Sequence, residues 1–241
     1  MATNTELLFV SLTGNASNTD AASYAASSVA PVSGQVCYAA IVTYRAAGVP
    51  AIPTASGTNG FGGAWAQVVT ETVGSNLRLT VFSSVAQSAV AGVITFDFGA
   101  ETQLAAVWRV VTSPYVNTTT PTVQTKTETL TDTTTTMTVV LNAALTAAAN
   151  WVLSFFAQQL GSGPSITSAA WLEYSLQPTS NNTASDGAAL QLSAGPGITA
   201  TMLMSSSAVS KIGIAIEVAQ DGTGVSAAGG GRSGSAYGLT R

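Results

Sequence analysis

Short runs of apolar residues, some alternating with polar ones and some continuous, cover most of this chain, and Gly, Pro, Ser and Asn separate them. Leu77-Arg78-Leu79-Thr80-Val81-Phe82 alternates, which puts Leu77, Leu79 and Val81 on one face of a strand. Residues 92–98 alternate as well, with Ile94, Phe96 and Phe98 opposed to Val93, Thr95 and Asp97. Residues 65–72 form another such run, closed by Gly74-Ser75-Asn76. Residues 7–12, 36–45 and 104–111 are more continuously apolar and complete a first set. Gly14-Asn15-Ala16-Ser17-Asn18 reads as a loop after the first run. Residues 136–141, 151–157, 169–175, 188–193, 198–204 and 212–218 form a second set. No long stretch sustains a helical period with charges on the opposite side. The pattern predicts an all-β chain of about ten to fourteen strands in packed antiparallel sheets.

The two sets follow the same order. Trp65 corresponds to Trp171, Leu79 to Leu190, Ile94-Thr95 to Ile198-Thr199, and the run 107–110 to the run 214–218. Two pseudo-equivalent halves, about 5–112 and 136–219, are expected within a sandwich spanning 1–219. Either the halves interleave as a jelly roll or they stand in tandem. Residues 113–135 join them, and the stretch 118–138 holds thirteen threonines. Thr125, Thr127, Thr129 and Thr131 alternate within it, which suits an exposed edge strand or connecting arm. Residues 220–241 are rich in glycine, with Tyr237 and Leu239 among the few apolar anchors. Fixing such an arm costs about 1–2 kcal/mol of backbone entropy per residue with little side-chain return. A neighbouring chain is therefore expected to hold it, through strand addition to an edge such as Thr125–Thr131 and through Tyr237 and Leu239.

Composition adds one constraint. Only 7% of residues are charged, against about 25% in an average domain. The surface must be built from Ser, Thr, Asn, Gln and Gly, a neutral surface suited to close packing against copies or partners. The seven basic residues are scattered and the formal net charge is −4, so nucleic acid is not an expected partner. Residues 1–6 lack a basic leader region, and no window reads as a membrane helix; cytoplasmic synthesis without export is the expectation.

Candidate chemistry is sparse. The chain has no histidine, which removes Ser-His-Asp, Cys-His and His-containing metal sites. The single cysteine, Cys37, lies in the apolar run Val36-Cys37-Tyr38-Ala39-Ala40 and reads as a buried strand thiol. Asp97 with Glu101 and Glu128 with Asp132 are the acid pairs closest to a glycosidase arrangement, but neither has aromatic neighbours to stack a sugar. The polar loop 181–187 could supply oxygen ligands to calcium, but an ordinary turn is the better account. The stretch 57–63 is glycine-rich without a lysine and reads as a turn. Trp65, Trp108, Trp151 and Trp171 are expected in the core, and Tyr24, Tyr44, Phe61, Tyr115 and Tyr237 at the surface. The chain is expected to be non-catalytic, with no cofactor and no metal.

Several features together carry a resemblance. They are Leu7-Leu8-Phe9-Val10-Ser11, then the run from Val36 to Val42, glycine punctuation before Trp65, the run from Leu77 to Phe82, and Ile212-Gly213-Ile214-Ala215-Ile216-Glu217-Val218. Over about residues 5–220 this pattern resembles the jelly-roll-type β-sandwich virion proteins of tailed bacteriophages, among them capsid decoration and tail-associated proteins. The resemblance implies a structural virion protein that meets other virion proteins and copies of itself. Decoration of the head is the first expectation. A receptor- or carbohydrate-binding module of a tail fibre is the alternative. No catalytic or ligand residue carries over from it.

Overall fold

The computed structural model describes residues 10–147, 150–159, 165–166, 171–173, 185–191, 199–203 and 210–221. Among them the chain is all-β, with sixteen strands and a single turn of 3-10 helix, Asn59–Phe61. The first eight strands are β1 (Val10–Ser17), β2 (Ser23–Ala25), β3 (Val36–Tyr44), β4 (Thr54–Gly57), β5 (Ala66–Val73), β6 (Leu77–Val85), β7 (Ile94–Asp97) and β8 (Ala105–Ser113). The second eight are β9 (Thr122–Leu130), β10 (Thr136–Val140), β11 (Trp151–Gln159), β12 (Ser165–Ile166), β13 (Trp171–Glu173), β14 (Ser185–Gln191), β15 (Thr199–Leu203) and β16 (Ser210–Val218).

Each set of eight builds one large and one small antiparallel sheet. The first large sheet has the order β1-β8-β3-β6-β5 and the first small sheet β2-β7-β4. The second pair has the orders β9-β16-β11-β14-β13 and β10-β15-β12. Counted from its own first strand, each half therefore reads 1-8-3-6-5 beside 2-7-4. The Thr-rich stretch opens the second half as its first strand, β9, in the place that β1 holds in the first.

The sheets stack in four layers, the two large ones in the middle. Val36, Tyr38, Ala40 and Val42 of β3 meet Leu153, Phe155 and Ala157 of β11 and Ile212, Ile214 and Ile216 of β16 in a central core. The opposite face of β3, with Cys37, Ala39 and Ile41, packs with Tyr24, Phe96 and Trp108 in a first outer core beneath the small sheet. Val152, Phe156 and Ala215 pack against Met137 and Val139 in a second outer core. β3, β8, β11 and β16 are thus buried on both faces, which is why they read as near-continuous apolar runs. Burying each large aliphatic or aromatic side chain contributes about 1.5–3 kcal/mol, and the central core is the largest such reservoir. Gly213 of β16 faces the second outer core, where an added Cβ would lie 2.5 Å from Val139 Cγ2 and 2.9 Å from Phe156 Cε1. Only glycine lets the small sheet approach that closely.

Several expectations need correction. Residues 14–17 continue β1 and do not form a loop, because the ladder to β8 pairs Gly14 with Arg109 and Asn15 with Trp108. Trp108 is buried, but Trp65 and Trp151 are only half-buried at the rims of their cores; the side chain of Trp171 lies outside the described residues. Tyr24, Tyr44 and Phe61 are buried, and Tyr115 is half-buried. Tyr24 can enter the core because its hydroxyl lies 2.6 Å from Gln103 O and 2.9 Å from Thr19 O, so its polar tip is satisfied.

Candidate functional site

β9 is one of the four strands that end the large sheets, with β1, β5 and β13, and the one that carries the alternating threonines. It pairs with β16 from Leu130 opposite Lys211 to Thr122 opposite Val218, and it ends the order of its sheet. Its other edge has no strand partner among the described residues, so alternate backbone N–H and C=O groups point away from the sheet. Threonine, β-branched and polar, suits a strand that is half-covered on each face. The register places Thr125, Thr127 and Thr129 opposite Ile216, Ile214 and Ile212, on the face toward the first large sheet. Gln124, Lys126 and Glu128 lie on the opposite face.

The edge of the first large sheet ends beside it. Thr127 Oγ1 donates to Glu71 Oε2 of β5 at 2.5 Å, and Glu71 Oε1 accepts the Thr72 backbone N–H at 2.9 Å. Glu71 therefore clips the two layers together and caps one amide of its own strand. On the other face, Lys126 Nζ and Glu128 Oε1 form an ion pair at 3.3 Å. Both are partly exposed, and such a pair contributes at most about 1 kcal/mol. Thr131 lies beyond the end of β9 and is exposed. Thr125, Thr127 and Thr129 share one face, whereas Tyr237 and Leu239 lie outside the described residues. The described part of the C-terminal stretch is anchored: Asp221 N–H donates to Tyr115 O at 2.9 Å and Gln220 N–H to Asn150 Oδ1 at 3.3 Å.

The candidate catalytic acids are engaged in local structure. Asp97 Oδ1 accepts the Gly99 N–H at 2.8 Å. Glu101 accepts Arg45 Nη1 at 2.8 Å, Gln103 Nε2 at 2.8 Å and the Ala51 N–H at 2.6 Å; these donors hold its carboxyl below the usual range, Gln103 foremost. Asp132 accepts the Thr134 N–H at 2.9 Å, which lowers its carboxyl too. Cys37 is buried, and burial pushes its thiol up to about 11. No group of three or more acidic or thiol side chains that could hold a metal occurs among the described residues. Most of the loop weighed for calcium, residues 181–184, lies outside them, and Ser185, Asp186 and Gly187 open β14.

One acid that the sequence reading passed over accepts four hydrogen bonds. Glu217 of β16 is fully buried. Its Oε1 accepts Thr146 N–H at 2.7 Å, Thr146 Oγ1 at 2.8 Å and Asn150 Nδ2 at 2.6 Å, and its Oε2 accepts Gln124 Nε2 of β9 at 2.6 Å. Burial pushes this carboxyl up, but the donors from Asn150, Gln124 and Thr146 outweigh it and hold the group below its ordinary value. The signal was available as the one acid inside the apolar run 212–218. Glu217 thereby fixes the start of β9 and the loop before β11 to the interior strand β16. Lys211, also fully buried, donates through Nζ to Asp132 O and fixes the other end of β9. The open edge is thus held at both ends by buried polar anchors. Comparison with protein-family models, with curated proteins and with solved structures gives no match for this chain.

Proposed function

We propose that the protein is a non-enzymatic structural component of a tailed-phage particle, built from two jelly-roll sandwiches and present in many copies as a decoration of the head. The observation that carries the reading is the open, threonine-lined edge of β9, fixed at both ends on a doubly stacked, charge-poor sandwich. Such an edge offers main-chain hydrogen bonds, and its two charged side chains, Lys126 and Glu128, pair with one another. In each half the order 1-8-3-6 beside 2-7-4 supports the jelly-roll reading, with the fifth strand joined to the large sheet. The sequence pattern that resembles phage virion sandwiches points the same way. The acids with described side-chain bonds cap turns, pair with a cation or anchor strands, which accords with a scaffold.

The test is quantitative mass spectrometry of density-banded phage particles that encode this chain. The reading expects the chain in the particle at a copy number comparable to that of the major capsid protein. A few copies per particle, co-purifying with detached tails, would replace head decoration by the tail-fibre role. Absence from the particle would overturn the virion reading.

A further inference from the structure

We propose that β9 is a homodimer contact, in which the open edge of one copy pairs antiparallel with the same edge of a second copy about a two-fold axis beside Thr127. The inference deepens the reading of a multi-copy component and rests on it only for the presence of many copies at one place.

The order of charges along β9 sets the pairing. The centre of β9 reads Thr125-Lys126-Thr127-Glu128-Thr129. A two-fold axis perpendicular to the sheet keeps each face continuous across the new junction. With the axis beside Thr127, Lys126 stands opposite Glu128 of the second copy, and Glu128 opposite its Lys126. Thr125 then stands opposite Thr129 of the second copy, and Thr127 opposite its counterpart. Opposite charges and Thr–Thr pairs directly across an antiparallel ladder are both favourable, and like charges there are unfavourable.

Shifting the axis by one residue either way must leave side chains on the same faces, and neither shift pairs the charges. With the axis beside Lys126, two ammonium groups confront each other. With it beside Glu128, two carboxylates do. The segment is thus self-complementary in one register alone. The Lys126–Glu128 ion pair within each copy, at 3.3 Å, would become half of a closed ring of four alternating charges.

The surroundings permit the contact. The nine residues of β9 form a full-length strand, and its outer edge carries no partner among the described residues. Most edge strands are protected by lone charges, proline or covering segments. Here the charges come as a balanced pair, which repels no second copy. Glu71 and Thr127 satisfy one another within the copy, so the inward face brings no unpaired carboxylate to the junction.

The test uses the full-length protein and sedimentation equilibrium over about 1–100 µM. The wild type is expected to dimerise, with an affinity that weakens as salt is raised. Lys126→Glu makes both positions acidic, and Glu128→Lys makes both basic; each is expected to raise the dimer Kd at least about tenfold. The two variants mixed together restore every opposite pair, so they should form a heterodimer where neither forms a homodimer. The double variant Lys126→Glu/Glu128→Lys should dimerise again. Circular dichroism checks that each variant folds.

A wild type that stays monomeric overturns the proposal, as does a dimer that both single variants leave intact. If deleting residues 222–241 turns a monomeric chain into a dimer, the edge belongs to the C-terminal arm, and the proposal likewise falls. A monomeric chain found at high copy in particles would sink this contact alone. A dimer absent from particles would sink only the virion reading.

Discussion

Glu217 offers the sharpest test of the packing described above. Its carboxylate collects four hydrogen bonds from neutral donors while fully buried. Glu217→Leu keeps much of the volume and removes the acceptor. The hydroxyl of the exposed Thr146 can turn to water, though its backbone N–H cannot, and Gln124 has two carbonyls within 3.4 Å, Ala143 O and Ala144 O. Asn150 is buried and keeps only Thr146 Oγ1 as an acceptor for its Nδ2, at 3.1 Å. With about 1–3 kcal/mol for each buried donor stranded, and most of the loss falling on Asn150 and the Thr146 N–H, the cost is about 2–4 kcal/mol. Glu217→Gln can keep its oxygen in the Oε1 position and ask only that Gln124 turn its amide over. It forfeits charge assistance and should cost about 1–2 kcal/mol. Thermal and urea unfolding at pH 7 read both. For a chain of this size about 2–4 °C per kcal/mol applies, so Glu217→Leu should lower Tm by roughly 4–16 °C and Glu217→Gln by roughly half that or less. The pH dependence follows from the lowered carboxyl. A group whose folded pKa lies below its unfolded value of about 4.3 contributes in full well above that pH and loses its contribution as pH falls through the folded pKa. The gap between wild type and Glu217→Gln should therefore be constant from about pH 6 to 8 and shrink below about pH 4. Equal stability of Glu217→Leu and wild type at pH 7, or a gap that widens in acid, would show that the buried carboxylate does not hold these donors.

Other expectations follow from the same layers. Gly213→Val pushes a branched side chain into Val139 and Phe156 and should cost about 1–3 kcal/mol in urea unfolding with an unchanged m-value. Cys37, buried with its thiol raised to about 11, should react with a thiol reagent at pH 8 only as fast as the protein unfolds, and fully once it is denatured. The first half expressed alone, residues 10–113, would bare Tyr38, Val42, Leu79 and Val81 of the central core, and light scattering should find it associated or unfolded.

The fold was legible where burial dictates pattern. β3, β8, β11 and β16 showed as apolar runs because both their faces are covered, and β6 and β7 as alternation. β2, β4 and β12 span only three, four and two residues, too few for a period to show, and they lie in the thin outer sheets. Gly14 and Asn15 have turn chemistry, yet the ladder to β8 outweighs it. Aromatic residues such as Tyr24 and Phe61 were misplaced because they enter the core from short strands and loops, where alternation says nothing about direction. Of the candidate site, the threonine alternation was visible and its companions were not. Glu71 and Gln124 gain their roles from which sheets stack and which ends meet, and no local window of sequence carries that information. The charge symmetry about Thr127 was in the sequence throughout, but it acquires meaning only once β9 is an open edge.

The most direct test of that edge is amide hydrogen exchange across Thr122–Leu130, read residue by residue at high and low protein concentration. The alternate amides that point away from β16 should be protected in concentrated protein and exchange rapidly on dilution, while those bonded to β16 stay protected in both. Outward amides that exchange rapidly at every concentration, or that stay protected at every concentration, would contradict the account.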